Sequence, residues 1–239
     1  MYDMLILLPP SETKAAGGDA DPMTLSFPSL NPIREEIMDD LVALPVDDMM
    51  ATLNIPASKR AEAAENTSLR QAPTMPAIHR YTGVLYDALS PATLDTSALS
   101  RLAIGSALFG VVRATDLIPR YRLSGGSKLP ARDGSVPTMK ARWGASISEV
   151  LSELGFIVDM RSGAYHSLGP VPGAATVRVE TEVGGARKVV SHFNKQYKGE
   201  LARALASGPS CSSAAEVAAV ASEAGFAVEM SGSQLTLVV

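Results

Sequence analysis

Short apolar runs that end directly in polar residues recur along the sequence and restrict its fold more than any other feature. Three of them begin at Met4, Leu102 and Phe156 and read MLILL, LAIGSALFGVV and FIVDM. Runs of this length beside glycine or proline are typical of buried strands rather than of helices. Helical patterns separate them along the chain. The sequence therefore predicts an α+β (mixed α/β) fold in which helices flank a central mixed sheet, as one large domain over residues 1–239.

The remaining patterns complete the expected order of elements. Helical spacing predicts four helical regions, at 31–65 with proline breaks, 81–89, 145–155 and 213–225. Gly225 is the expected C-cap of the last region. Period-two alternation predicts two hairpins, at 175–193 around Gly184 and Gly185, and at 226–239. The polar stretch 116–137 is expected to be a long surface loop.

The formal net charge of −4 hides an uneven distribution of charge along the 239 residues. Residues 1–100 are acidic, whereas residues 101–210 carry fifteen Lys and Arg against eight Asp and Glu. A basic segment within an acidic protein indicates either a local anionic partner or a segment that faces the acidic residues of its own fold. The sequence leaves both interpretations open.

Three features favour a cytoplasmic protein without a membrane segment. The opening residues, MYDMLILLPP, lack a basic region, and two prolines end their apolar run. No stretch of eighteen uninterrupted apolar residues occurs. Cys211 is the only cysteine, so no intramolecular disulfide can form and a reducing compartment is expected.

The motifs of common cofactor and metal sites are missing from the sequence. GSALFG at 105–110 lacks the lysine and hydroxyl residue of a phosphate-binding P-loop, and the pattern GxGxxG does not occur. His79, His166 and His192 lie far apart without Cys or Glu at ligand spacing, so no metal and no cofactor are predicted. Cys211 has no second thiol to pair with, so peroxide reduction by a cysteine pair is not expected.

Polar segments follow four of the expected buried elements, at positions where α/β proteins often carry their sites. These segments are residues 9–14, 109–123, 159–166 and 192–203. If the strands before them share one sheet edge, the four segments converge on a single cleft. Any one segment taken alone is better explained as a solvated turn, but that explanation is less persuasive for all four.

Five stretches, in order, resemble the signature segments of the YaaA peroxide stress protein family in its actinobacterial form. They are LLPPSETK, YTGVLYDAL, SALFGVVRATDLIPRYRLSGG, VDMRSGAYH and VVSHFNKQYKGELARAL. The resemblance implies the unusual fold of that family and a role in protection from peroxide. It also implies DNA binding through a basic cleft and a helix-hairpin-helix-like element. It does not imply a reaction, because most members have no demonstrated one, and residues 211–239 are less diagnostic.

Two hypotheses follow for function, with no obligate protein partner in either. The first is a peroxide-stress protein that binds DNA or a nucleic-acid fragment through Lys14, Arg113, Arg120, Arg122, Lys128, Arg161, Tyr165, Lys195, Lys198 and Arg203. The alternative is an enzyme acting on a small anionic or nucleotide-like substrate in the same cleft, with Ser162, His192, Lys195 and Arg113 as catalytic candidates. An iron-handling protein is a third and weaker hypothesis, since clustered His, Asp and Glu ligands are missing.

The nearest candidate for a helix-hairpin-helix-like element is MATLNIPASKRAEAA, residues 50–64. It has a proline turn and the basic pair Lys59 and Arg60, but Ala57 and Ser58 stand where hairpin glycines are needed. Glycine permits the close approach of backbone N–H groups to phosphate, so this departure weakens the assignment.

The stretch HFNKQYKGELAR, residues 192–203, is expected to be an amphipathic helix with Asn194 as its N-cap. At helical spacing one stripe faces the core, namely Phe193, Tyr197 and Leu201. Lys195 and Lys198 then lie on another face. The aromatics are therefore expected to anchor the helix, while the two lysines are free to contact a ligand.

Overall fold

The computed structural model describes residues 4–183, 186–189 and 191–239, and within 182–193 it describes only the side chain of Arg187. The described residues form ten strands and eleven α-helices. The strands are β1 (Met4–Leu8), β2 (Thr74–Pro76), β3 (Leu102–Ser106), β4 (Gly110–Arg113), β5 (Leu117–Pro119), β6 (Phe156–Asp159), β7 (Ala175–Val183), β8 (Ala186–Val189), β9 (Ala227–Ser231) and β10 (Gln234–Val238). The helices are α1 (Asn31–Ala43), α2 (Val46–Thr52), α3 (Arg60–Glu65), α4 (Ala77–Arg80), α5 (Val84–Leu89), α6 (Thr96–Ser100), α7 (Met139–Trp143), α8 (Ser146–Ser152), α9 (Gly163–Ser167), α10 (Ser191–Ser207) and α11 (Ala214–Glu223).

A mixed eight-stranded sheet is the centre of the fold and confirms the expected α/β architecture. Seven strands follow the order β4-β3-β1-β6-β7-β10-β9, and β8 pairs with the end of β7. Strands β3, β1, β6, β7 and β10 run parallel to their neighbours, whereas β4, β8 and β9 are antiparallel additions. Strands β2 and β5 form a separate antiparallel pair.

Strand β1 determines where polar side chains gather, because it lies between β3 and β6. Ile6 is in register with Leu102 of β3 on one side and with Val158 of β6 on the other. All five residues of β1 and of β3 are buried, as expected for strands covered on both faces. The carboxyl ends of β3, β1 and β6 therefore meet at one sheet edge, called the carboxyl edge below.

The helices are tied to the sheet by buried polar contacts as well as by apolar packing. In α1, the guanidinium of Arg34 donates hydrogen bonds to the carbonyl groups of Phe109 and Val111. In α7, the indole N–H of Trp143 donates to the carbonyl of Ala107 at 2.9 Å. Among the described residues, no helix is long and apolar enough to cross a bilayer.

Most of the expected elements are confirmed. The first apolar run forms β1, and the run at Leu102 divides into β3 and β4 around a turn. Both hairpins form as antiparallel pairs, β7 with β8 and β9 with β10, while Gly184 and Gly185 lie outside the described residues. Helix α11 ends before Gly225, whose φ of 93° belongs to the left-handed region expected of a C-terminal glycine.

Two local expectations are wrong. The stretch 116–137 is not an exposed loop throughout, because residues 117–119 form β5 and Tyr121 is only 1% exposed. Its pairing partner β2 lies some forty residues earlier in a proline-rich stretch, where local patterns do not reveal it. Asn194 does not begin α10, since that helix starts at Ser191.

Gly199 should be required for the packing of α10 on α5. A Cβ atom at this position would lie 2.2 Å from the carbonyl oxygen of Leu85. We expect Gly199→Ala to lower the free energy of unfolding by about 1–3 kcal/mol through overpacking, despite the higher helix propensity of alanine. Gly126→Ala is the control, because a Cβ there meets nothing within 4 Å. Urea denaturation of both variants measures the difference, and equal stability would contradict the proposed close packing.

Candidate functional site

The carboxyl edge collects polar groups from three adjacent strands. Ser106 is the last residue of β3, Asp159 is the last residue of β6, and Lys14 follows β1 by six positions. Strand β3 lies on one side of β1 and β6 lies on the other side. The connection from β1 to β3 and the connection from β3 to β6 therefore run in opposite directions along the sheet, and the strand order reverses at this point of the edge. Such points are the usual ligand-binding positions of open α/β sheets.

Lys14 is unusual at this edge, because its ammonium group is buried against two aromatic rings, with no ion pair to a carboxylate of the described residues. The residue is 9% exposed, and its Nζ donates a hydrogen bond to the carbonyl of Ser11 at 2.9 Å. The same atom lies 4.4 Å from the centre of the Tyr121 ring and 5.4 Å from that of Tyr81. Within the described ranges, no carboxylate oxygen approaches Nζ to salt-bridge distance. The carbonyl of Ser11 and the two aromatic faces therefore stabilise the charged form of this lysine.

Burial lowers the pKa of Lys14 from 10.5 to about 8. Burial is the largest cause, since it disfavours the charged form. The carboxylates of Glu12 and Glu62 oppose the shift, and the guanidinium groups of Arg122 and Arg120 add to it. Lys14 can thus exchange a proton close to neutral pH.

A chain of buried hydroxyl groups runs beside Lys14. The hydroxyls of Tyr81 and Tyr121 are 2.8 Å apart, and that of Tyr121 is 2.7 Å from Ser106 Oγ. The backbone N–H of Phe109 donates to the same Oγ at 3.0 Å. Burial raises the pKa of Tyr81 to about 12 and that of Tyr121 well above its usual value. Both tyrosines therefore stay neutral and act as hydrogen-bonding groups.

A cavity of about 210 Å³ opens next to this cluster. Its walls combine one carboxylate, one guanidinium, one amide, two hydroxyls and three apolar side chains: Glu12, Arg122, Asn54, Ser124, Ser127, Leu53, Ile55 and Leu123. Arg122 donates to the carbonyl of Glu12 at 3.4 Å, and both residues act electrostatically on Lys14. Lys14 does not line the cavity itself, but two of the wall residues are its electrostatic neighbours.

Several of the predicted anion-binding residues lie at the carboxyl edge with partners from the protein itself. Arg161 makes a bidentate ion pair with Asp159 at 2.8 and 3.0 Å, and its side chain lies over Gly105, where a Cβ would be 2.8 Å from its Cδ. Lys198 was predicted to lie on a free face of α10, and this is wrong, because it is buried and donates to the carbonyl of Met160 at 2.8 Å. The Tyr165 ring packs against Gly125, and burial raises its pKa.

The acidic residues of α3 neutralise two further predicted cations. Arg120 pairs with Glu62 at 3.2 Å and with Glu65 at 2.9 Å, and Arg122 pairs with Glu62 at 3.0 Å. The sequence left open whether the basic segment binds an anionic partner or faces acidic residues of its own fold. For Arg120 and Arg122, the structure shows contact with the protein's own acidic residues. Their role in binding a ligand stays a prediction.

Other predicted residues lie elsewhere in the fold. Arg113 is on β4 opposite Ala103, at the amino end of β3, and is buried beside the Phe27 ring. Arg203 donates to the carbonyls of Leu89 and Ser90 at the end of α5. Three more positions are exposed: Lys128, Lys195 and Ser162. The side chain of His192 lies outside the described residues.

The 50–64 element forms two short helices, but its basic residues face acidic ones. A 3₁₀ turn at Ala57–Lys59 connects α2 to α3. Lys59 pairs with Glu62 at 2.6 Å, and Arg60 pairs with Asp47. The turn residues 53–55 line the cavity instead. Within the described part of the chain, no group of three or more His, Cys, Asp or Glu is placed to hold a metal ion.

Three important residues were not among the predicted site residues. Ser106 carries a recognisable signal, since it is the polar residue within the apolar run LAIGSALFGVV and ends β3. Tyr81 is the first residue of the helical region predicted at 81–89, yet it precedes α5 and contacts Lys14. Glu62 lies in an acidic helix far from the site in sequence, and no local pattern indicates its contact with Arg120 and Arg122.

The fold and the site define a mixed α/β protein with a buried lysine and a polar cavity at the carboxyl edge of its sheet. The sequence model of the family described as "Peroxide stress protein YaaA" matches residues 4–231. The chain therefore belongs to the YaaA peroxide stress protein family, as the five signature segments predicted.

Similar proteins span essentially the whole chain. A UPF0246 protein of Corynebacterium efficiens is 59% identical over 245 residues, covering 99% of this chain and 100% of its own. A UPF0246 protein of Corynebacterium glutamicum is 57% identical with the same coverage. One from Streptomyces coelicolor is 42% identical over 95% of this chain and 92% of its own.

The hydroxyl chain should contribute measurably to stability. Tyr121→Phe leaves the Tyr81 hydroxyl without its buried partner, so we expect the free energy of unfolding to fall by about 1–3 kcal/mol. Tyr197→Phe is the control, because the Tyr197 hydroxyl makes no hydrogen bond to a described residue, and its effect should stay within about 0.5 kcal/mol. Chemical denaturation checks both values. Equal effects would show that the hydroxyl chain is not a structural element.

The lowered pKa of Lys14 should make stability depend on pH. Between pH 8 and 10.5 the unfolded state binds more protons than the folded state, so the free energy of unfolding rises with pH in this window. Relative to Lys14→Met, the wild type should gain stability from pH 8 to 10 with a slope of at most about 1.4 kcal/mol per pH unit. Urea denaturation at four pH values measures the difference. A flat difference would contradict the shift, and Lys195→Met controls for loss of one lysine.

Proposed function

We propose that this peroxide-stress protein binds a nucleotide-like anion, either free or as an unpaired nucleotide of a nucleic-acid strand, at the carboxyl edge. The ligand occupies the cavity lined by Glu12, Asn54 and Arg122, with its anionic group towards Lys14 and Arg122. The single observation that supports this most is the buried Lys14 ammonium group without a carboxylate partner.

An anion beside Lys14 would relieve an unfavourable arrangement. Burial of a charged group is costly unless an opposite charge or several hydrogen bonds compensate it. Among the described residues, the partners of Nζ are one carbonyl and two aromatic rings, which engage only part of its capacity as a threefold donor. A phosphate or carboxylate group within reach would accept those hydrogen bonds and favour the charged lysine.

The size and lining of the cavity favour one nucleotide unit over a duplex. Its volume of about 210 Å³ is below the roughly 300–1,000 Å³ typical of pockets for drug-sized ligands. Leucine and isoleucine side chains offer an apolar surface, while Asn54, Ser124 and Ser127 offer hydrogen bonds to a base or a sugar. A single unpaired base matches this combination.

The positions of the cations also favour a confined site over a broad basic cleft. Arg120, Arg122 and Arg161 are paired with carboxylates, and Arg203 and Lys198 donate to backbone carbonyls. Binding of a duplex needs several lysines or arginines free to neutralise phosphates. Duplex binding through the whole basic segment would require these internal contacts to break.

An enzyme acting on the same ligand is the second candidate function. The lowered pKa of Lys14, to about 8, favours it because a lysine near neutral pH can exchange a proton or act as a nucleophile. The cytoplasm is the compartment that we propose for either function. Cys211, which is buried and unpaired, supports a reducing environment.

Binding measurements test the proposal directly. Calorimetry with a 5′-mononucleotide, a single-stranded oligonucleotide and the matching duplex should show the single strand binding more tightly than the duplex. The salt dependence of the single-strand affinity should be shallow, with a log–log slope of about −1. Lys14→Met should weaken binding by roughly tenfold or more, since it removes a partly desolvated charge.

Matched controls separate this site from general charge effects. Lys128→Met and Lys195→Met each remove one exposed lysine and should change the affinity by less than about twofold. If Lys14→Met is poorly folded, Arg122→Gln tests the cavity wall instead. A preference for duplex with a steep salt slope, unchanged in Lys14→Met, would overturn the proposal, as would no binding of any of the three ligands.

A further inference from the structure

We propose that Lys14 is a catalytic amine whose Nζ forms an imine with the carbonyl carbon of a small aldehyde or ketone that carries an anionic group. This inference rests on the proposed function, because the same cavity and the same cations would hold the anionic group. It assigns a substrate class and a chemical step to the site.

The surroundings of Nζ match those of reactive lysines. An amine becomes nucleophilic when it is desolvated or lies beside another cation, since both favour the neutral form. Nζ has both features, with the faces of Tyr81 and Tyr121 around it and Arg120 and Arg122 close enough to act on it. No ion pair with a described carboxylate holds it in the charged form. A pKa near 8 raises the fraction of free amine at pH 7 by roughly 300-fold over an ordinary lysine.

The position of Lys14 also gives the amine a route to a ligand. The residue retains 9% exposure and is two positions from Glu12, which lines the cavity. Arg122 lines the same cavity, and its side chain keeps 18% exposure while it pairs with Glu62, so a phosphate or carboxylate group in the cavity would share this guanidinium with Glu62. A carbonyl compound held by its anionic end beside Arg122 can direct its carbonyl carbon towards Nζ.

The proposed step conserves atoms and electrons. The neutral Nζ attacks the carbonyl carbon with its lone pair, a C–N bond forms as the C=O π bond opens, and one Nζ proton passes to the oxygen to give a carbinolamine. The second Nζ proton passes to the hydroxyl group, which leaves as water as the C–O bond breaks and the C=N bond forms. Neither oxidant nor reductant is needed, and addition of water reverses the step.

Lys198 provides an internal control for reactivity. Burial lowers its pKa to about 8 as well, yet its Nζ donates to the carbonyl of Met160. Its neighbour Gly199 packs directly against α5, where a Cβ would clash with Leu85. Neither lysine lines the cavity itself, but two of its wall residues, Glu12 and Arg122, act electrostatically on Lys14, whereas the charged neighbour of Lys198 is Asp159. A lowered pKa alone would make both lysines reactive, whereas a ligand held at this wall makes only Lys14 reactive.

Reductive trapping tests the proposal in the full-length protein. Glyceraldehyde 3-phosphate with sodium cyanoborohydride should yield one covalent adduct, which peptide mass spectrometry places on Lys14. Labelling of Lys14 at pH 7 should be faster than that of Lys198 or Lys128 by about tenfold or more. Glyceraldehyde, which lacks the phosphate, should label Lys14 more slowly, and excess 5′-mononucleotide should protect it.

The outcomes distinguish this inference from the proposed function. Mononucleotide binding without preferential labelling of Lys14 overturns the amine chemistry and keeps the anion site. Labelling of Lys14 without mononucleotide binding or protection keeps the amine and overturns the nucleotide-like ligand. Labelling spread evenly over exposed lysines, or equal at Lys14 and Lys198, also overturns the inference. Labelling and its protection by the mononucleotide are measured on the wild-type protein. The test therefore does not require any variant to fold.

Discussion

The parallel pairing of β1 with both β3 and β6 is the constraint on which the rest of the structure depends. It brings three strand ends to one edge and buries all five residues of β1. The segment after β1 must then return over the buried edge, and Lys14 is carried into a space lined by Tyr81 and Tyr121. The buried lysine is thus a consequence of the strand order.

Most of the cationic side chains discussed from the basic segment make ion pairs or hydrogen bonds within the protein. Arg161 crosses over Gly105 to reach Asp159, which connects the ends of β6 and β3 across β1. Arg120 and Arg122 bind the acidic helix α3 to the strand end at β5. The acidic and basic parts of the chain therefore neutralise one another in space. Against this background Lys14 stands out, since its ammonium group contacts two rings and a carbonyl and forms no ion pair with a carboxylate of the described residues.

The family's role in peroxide stress is compatible with chemistry on a small carbonyl compound or with capture of an unpaired nucleotide. Both use one cavity, and they differ in whether a covalent bond forms at Nζ. The neutral tyrosines beside Lys14 suit either role, because they add no charge that would compete with an anionic ligand.

The sequence predicts the strands well and the site only in outline. Period and run length are local properties, so β1, β3, β6 and the two hairpins follow from them. The convergence of segments after β1, β3 and β6 also follows, given parallel strands. The hydrogen-bond and ion-pair partners of the site residues do not follow from local patterns. The contacts of Glu62 with Arg122 and of Lys198 with Met160 join residues far apart in the chain. Those contacts decide which cations are available, and no local pattern encodes them.

The same reason explains why β5 was missed. Strand β5 depends on pairing with β2, some forty residues earlier in the chain, and this tertiary pairing overrides local propensity. The structure shows only that α10 starts at Ser191, three residues before the predicted cap at Asn194.

The protonation of Lys14 Nζ is the most direct test of the account, and a heteronuclear NMR titration of the lysine side chains measures it. Lys14→Arg assigns the signal. The account predicts a pKa of about 8 in the free protein and a higher one with a bound 5′-mononucleotide, because the anion favours the charged amine. A pKa at the ordinary value near 10.5, unchanged by the nucleotide, would contradict it.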